Sequence, residues 1–231
     1  EISINDYNVI FKKSKYDESM LLAYSKYWIE SQKRTKINHG SFGFFKTHNA
    51  RVKINNNYYT DSVTTSGFIY ISRDPRDIAI SYSNHINKSI SDTINILFNG
   101  QIVEREKVND KMPEVLLNWK DHYLSWKKFS NEVPSLFIKY EDLLDDTKKE
   151  INKIINFLET NYKLTIENKT EKINNIIETT LFQNLSKIEK NQGFVEKANK
   201  SIFFRKGNKN QWMDILKKED HTEIEQRFYI E

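Results

Sequence analysis

A chain of 231 residues with 38% apolar residues, including 14 Phe, 12 Tyr and 4 Trp, has enough burial area to exclude intrinsic disorder, and its length favours one large α/β domain. Its 36 Lys and Arg against 32 Asp and Glu leave a net charge of +4 with the signs interspersed, so nucleic acid is not expected as a partner, although a local basic pocket for a small anion is. The absence of cysteine excludes disulfides, thiol catalysis and Cys-ligated metal, and no apolar run approaches the roughly 18 residues of a membrane span.

The sequence begins at Glu1 rather than Met and without a signal-like apolar core, and reads as a fragment or a trimmed chain. In chain order, residues 18–30 predict an amphipathic helix, and 42–47, with Phe44 and Phe45, a short buried strand. Residues 67–72 and 135–140 predict two more buried strands. Apolar recurrence at three- and four-residue spacing predicts helices over 76–87, 113–130, 146–159 and 169–179, and another helix starts near Trp212. Only 6 Gly and 3 Pro punctuate the chain and no linker or repeat stands out, so a single domain over 1–231 is predicted. Short apolar strands separated by helices require crossovers, hence a mainly parallel sheet flanked by helices on both faces. In such sheets ligands sit beyond the carboxyl ends of the strands, so the residues after each strand are the first candidates.

After the strand at 67–72 comes Arg73-Asp74-Pro75-Arg76-Asp77. Asp74 suits an N-cap, Pro75 the first helical position and Asp77 the first turn. The unpaired amides of that helix start favour an anion, and Arg73 could grip phosphate oxygens with two hydrogen bonds, with Ser81 two turns on adding a hydroxyl. The same residues also read as solvated charges, with Arg73 and Arg76 paired to Asp74 and Asp77. Earlier, Gly40 to Thr47 has the length and ending of a Walker A loop, but Phe45 stands where glycine must let the backbone wrap phosphate, and an ATP-using kinase is rejected on that ground. The run instead delivers Lys46, Thr47 and His48 to a strand end. Histidines also occur at 39, 85, 122 and 221, and what separates His48 from them is this position and its neighbour Lys46.

Three later segments belong to the same set. Lys139-Tyr140-Glu141-Asp142-Leu143 follows the third strand, with Tyr140 open to a core-edge reading. Thr179-Thr180-Leu181-Phe182 offers a hydroxyl at Thr180 and a stacking face at Phe182, which reads equally as core. Arg205-Lys206-Gly207 joins two cations to a glycine that permits close backbone approach, a phosphate clamp or a plain basic loop before a helix.

Taken together and in this order, the strings resemble the sulfotransferases that use 3′-phosphoadenosine 5′-phosphosulfate (PAPS). Residues 70–82 resemble the family's 3′-phosphate motif, Phe45-Lys46-Thr47-His48 its Lys-Thr-His strand end, and Lys139 to Leu143 its Tyr-Glu-Asp-Leu turn. Thr179 to Leu185 is similar to its Thr-Ser-Phe-x-x-Met segment, with departures at Leu181 and Leu185. Arg205 to Trp212 resembles its Arg-Lys-Gly-x-x-Gly-x-Trp loop, with Asn210 in place of the second glycine. Trp119, His122 and Trp126 resemble a family helix near the acceptor pocket and are read as core.

The resemblance implies a nucleotide-kinase-like α/β fold and transfer of a sulfuryl group from PAPS to a hydroxyl or amine, leaving adenosine 3′,5′-bisphosphate (PAP). It implies His48 as general base and Lys46 as the cation near the transferred group. Arg73, Ser81, Tyr140, Thr180, Phe182, Arg205, Lys206 and Gly207 are then the nucleotide-binding residues, with no metal required. A small-molecule or glycan acceptor and a cytoplasmic setting are expected, without a nucleic-acid or membrane partner, and the acceptor pocket is expected from 49–66 and 88–112. Nothing in residues 1–42 resembles the family's Pro-Lys-Ser-Gly-x-Thr-Trp loop, so the first strand and phosphosulfate loop are expected to lie outside this sequence. The alternative is a non-catalytic nucleotide-binding or scaffold protein of the same fold.

Overall fold

The computed structural model describes residues 18–38, 41–103, 113–196 and 201–228. Its helices are α1 (Glu18–Ser25), α2 (Trp28–Lys33), α3 (Pro75–Ile86), α4 (Ile90–Asn99), α5 (Trp119–Phe129), α6 (Tyr140–Asp145), α7 (Thr147–Tyr162), α8 (Lys169–Thr179), α9 (Phe182–Gln192), α10 (Trp212–Ile215) and α11 (Lys218–Phe228). Its strands are β1 (Lys53–Ile54), β2 (Asn57–Tyr58), β3 (Phe68–Ser72), β4 (Gln101–Val103), β5 (Glu114–Leu116) and β6 (Ser135–Lys139). The architecture is α/β. β3 and β6 pair in parallel, as the bonds from Phe68 N–H to Pro134 O and from Ser72 Oγ to Ile138 O show by advancing together, while β1–β2 and β4–β5 are antiparallel ribbons. The chain divides into two compact units, Glu1–Phe68 with Asn95–Ser135, and Ile69–Ile94 with Leu136–Glu231.

In the first unit the core gathers Leu21, Trp28, Ala50, Val52, Ile54, Val115 and Leu117. Trp28 meets Tyr59 edge-on at 5.5 Å. Phe129, 0% exposed, stacks on Phe68 at 5.8 Å, and the Arg51 guanidinium sits 4.1 Å from its ring centre while pairing with Glu132 at 3.1 Å. Such a buried ring contributes through apolar area and through the cation over its face.

The second unit is organised around α3. Asp74 caps it by accepting the Arg76 N–H at 2.8 Å, Pro75 occupies its first position, and Asn87 ends it in the left-handed conformation at φ 53°. α10 and α11 pack on α3, and α7, α8 and α9 pack in succession. α7 is capped by Asp146, which accepts the Lys149 N–H at 2.9 Å.

The helix start at Pro75 and the span of α8 follow the sequence expectation, and three other elements differ. Residues 42–47, predicted as a buried strand, form none, and Phe44 and Phe45 are 72% and 69% exposed. An apolar run becomes a buried strand only where neighbours take its amides, and no described strand pairs with this one. The helix predicted over 113–130 begins only at Trp119, because Glu114–Leu116 pairs with Val103–Gln101 and Asn118 caps the helix on the Asp121 N–H at 2.8 Å. The helix predicted over 18–30 is divided into α1 and α2 by a turn in which Tyr27 N–H bonds Tyr24 O at 3.0 Å. β3 lies where predicted but is only half-buried, with Ile71 exposed.

Candidate functional site

The two arginines of the helix start separate in the structure. Arg76 is consumed locally: Nη2 bonds Asp74 Oδ2 and Nη1 bonds Glu225 Oε1, both at 2.6 Å, and the guanidinium lies 3.8 Å over the Trp212 ring. The Asp74 hydrogen bond raises its pKa above the ordinary arginine value, with burial opposing and Glu225 assisting. For Arg76 the ion-pair reading is therefore the right one. Arg73 instead lies over Tyr140 with its guanidinium 4.7 Å from the ring centre, donates from Nη2 to Asn208 O at 3.0 Å, and stands 3.9 Å from Asp77 Oδ2. Its Nε is buried with no hydrogen-bond partner among the described residues, an unmet charged donor beside the loop.

The loop from Arg205 to Gln211 is tied to this helix start. Asp77, 1% exposed, accepts the Asn210 N–H at 2.7 Å and the Trp212 N–H at 3.0 Å. Asn210 takes the left-handed conformation at φ 58°, which Asn tolerates better than most residues, so it can stand at the position of the second glycine in the motif this loop resembles. Gly207 is also left-handed, at φ 63°, and a Cβ there would stand 2.6 Å from Phe182 Cε2 and closer still to Cδ2. The Phe182 ring thus packs against the bare Gly207 backbone. Arg205 Nη2 reaches Gln211 Oε1 at 3.3 Å, Lys209 pairs with Asp145, and Lys206 is exposed.

The predicted hydroxyls are occupied by their own helices. Ser81 Oγ donates to Ile78 O at 3.4 Å, and Thr180 Oγ1 to Ile176 O at 2.6 Å at the end of α8. Both keep lone pairs but must rotate before donating to a ligand. The second unit thus brings Arg73, Tyr140, Phe182, Gly207 and the Arg205–Lys206 loop onto shared supports, with Ser81 further along α3.

Lys46 and His48 belong to the first unit, at an exposed segment end. The backbone there is pinned. His122 Nε2 donates to His48 O at 3.2 Å, Trp126 Nε1 donates to Asn49 O at 3.0 Å, and Asn49 Oδ1 accepts the Val115 N–H at 2.7 Å. Thr47 Oγ1 bonds the Tyr59 hydroxyl at 2.7 Å and accepts the Asn49 N–H at 3.0 Å. Burial lowers the His122 pKa below the usual imidazole value, the bond to the His48 carbonyl opposes the shift, and the His48 charge adds to it.

Residue-type reasoning missed Asp77 as the anchor of a distant loop, Glu141, which accepts the Asp74 N–H at 3.0 Å, and His122 as a backbone clamp. The string Arg73-Asp74-Pro75-Arg76-Asp77 held a signal for the first, since two acids cannot both be N-caps. Among the described residues no group of three or more His, Asp or Glu is placed to hold a metal ion, and no helix is long and apolar enough to cross a membrane.

The chain is 30% identical over 155 residues to Sulfotransferase 1B1 of Canis lupus familiaris, covering 64% of this chain and 48% of that protein. It is 26% identical over 179 residues to the amine sulfotransferase of Oryctolagus cuniculus, covering 71% and 53%. The crystal structure of retinol dehydratase in complex with androsterone and the inactive cofactor PAP superposes with a TM-score of 0.62 at 22% identity, over 97% of this chain and 64% of that one, and shares the fold. The chain spans about half the length of the curated relatives it matches. The sulfotransferase domain family's sequence model matches residues 5–229, and the chain belongs to that family.

Proposed function

We propose that this chain binds PAPS and transfers its sulfuryl group to a hydroxyl or amine of a small-molecule acceptor, its two units serving one cytoplasmic sulfotransferase domain. The observation that carries this reading is the pairing of Arg73, whose buried Nε has no hydrogen-bond partner among the described residues, with the Arg205–Lys206–Gly207 loop anchored on the same helix start. Two cationic segments far apart in sequence and joined at one helix start suit a nucleotide phosphate. Family membership supports the same ligand, as do solved relatives crystallised with PAP.

Arg73 and Arg205 hold the 3′-phosphate, Gly207 lets the loop backbone approach it, and Tyr140 supports the Arg73 guanidinium from below. Phe182 and Thr180 face the purine, and Ser81 adds a hydroxyl to the phosphate. His48 takes the acceptor proton as the acceptor atom bonds to sulfur. The bond from sulfur to the bridging oxygen breaks, its electron pair leaves on the 5′-phosphate of PAP, and the proton stays on the imidazole. Lys46 offsets the charge growing on the bridging oxygen.

Calorimetry of this chain with PAP and with ATP tests the nucleotide, the expected result being binding of PAP alone. His48→Ala is expected to lower transfer by about 10²–10⁴ while PAP affinity is kept. Tighter binding of ATP overturns the donor assignment, and undiminished transfer removes His48 as the base.

A further inference from the structure

Helix α9 carries a buried carboxylate for which the proposed chemistry has no use. Glu189 is 7% exposed, and its Oε1 and Oε2 each accept one main-chain N–H, from Phe203 and Phe204, both at 2.8 Å. These residues directly precede Arg205. The next amide, Arg205 N–H, turns back to Phe203 O at 3.0 Å, so three consecutive N–H groups are fixed as the chain enters the cationic segment. Glu189 stands two turns along α9 from Phe182, the residue packed under Gly207. The far end of the loop is held by Asp77 through Asn210 and Trp212. Buried carboxylates therefore bracket Arg205, Lys206 and Gly207 on both sides, and α9 supports them in between.

We propose that Glu189 is a positioning residue that holds Arg205 and Lys206 ready for a nucleotide 3′-phosphate, so that most of the cost of ordering the loop is met before the ligand arrives. This rests on the reading that the loop binds that phosphate. A carboxylate suits the task because both its oxygens only accept, whereas an amide in its place must turn one donor toward a backbone donor. An unmet N–H at this half-buried place costs up to about 1–3 kcal/mol, enough to let the loop entrance leave this conformation.

The test is E189Q in this chain, with affinities measured for PAP and for adenosine 5′-monophosphate, which lacks the 3′-phosphate. PAP is expected to bind about tenfold more weakly, equivalent to about 1.4 kcal/mol, and the monophosphate to change by less than about twofold. Equal weakening of both ligands, or of neither, overturns the positioning role, since a general loss of structure does not select the ligand carrying the 3′-phosphate. A wild-type chain that does not prefer PAP to the monophosphate overturns the nucleotide reading instead. Hydrogen exchange in the ligand-free wild-type chain gives a readout that needs no variant. Slow exchange at the Phe203 and Phe204 amides is expected, and exchange at unprotected rates refutes the anchorage even if E189Q does not fold.

Discussion

Replacing Gly207 by alanine adds one methyl group at the point where the cationic loop turns, and the structure sets the size of the effect. The backbone there is at φ 63°, where a side chain costs about 1–2 kcal/mol relative to glycine. The added Cβ would also overlap the Phe182 ring, 2.6 Å from Cε2, so the ring or the loop must give way. Moving the ring disturbs its edge contact with Phe204 at 6.4 Å, a packing worth about 0.5–1.5 kcal/mol. The sum, about 1.5–3.5 kcal/mol, is what PAP binding must supply to restore the clamp, and at about 1.4 kcal/mol per tenfold this weakens PAP by about 10- to 300-fold. Titration calorimetry on G207A, F182L and the double variant tests both parts. Because leucine relieves the overlap, the double variant is expected to lose less than the sum of the single losses. Wild-type PAP affinity in G207A, or strict additivity, refutes the argument that Phe182 and Gly207 form one support.

Two further outcomes follow from the same geometry. R73K keeps the charge but gives up the planar fork that lies over Tyr140 while reaching Asn208 O, so PAP is expected to weaken about 10- to 100-fold in calorimetry, and unchanged affinity counts against Arg73 as a phosphate ligand. For His122 the folded-state pKa is depressed, so the unfolded chain takes up the proton first. Its contribution to stability is complete above the unfolded value of about 6.5 and is lost as pH falls through the lower folded value. Urea midpoints between about pH 7.5 and pH 5.5 are expected to fall more steeply for the wild type than for H122Q, and parallel profiles refute the assignment.

Local chemistry made part of this molecule readable in advance. Asp74 and Pro75 fix a helix start by capping and by a preset φ, which depend on adjacent residues alone, and α8 followed its apolar spacing to both ends. The segment Glu114–Leu116 was misread because its apolar residues satisfy helical spacing as well as strand pairing, and the choice lies with Gln101–Val103, outside any local window. Phe44 and Phe45 failed for the related reason that burial is decided by neighbours and not by the run itself. In the candidate site, Arg73 and the Arg205 loop stood out because charge beside helix starts and glycine is chemically legible. The acids that support them did not: Glu189 sits in a polar helix stretch and looks solvated until Phe203 and Phe204 are seen folded back onto it.

Trp212 lies beneath Arg76 with its main-chain N–H bound to Asp77, and it is the sole indole of the second unit, the others being Trp28, Trp119 and Trp126. The chain therefore contains its own fluorescent gauge at the foot of the cationic loop. With the other three tryptophans changed to phenylalanine, emission would come from that one ring alone, and its intensity and colour would follow the tightening of the loop in real time, without a dye.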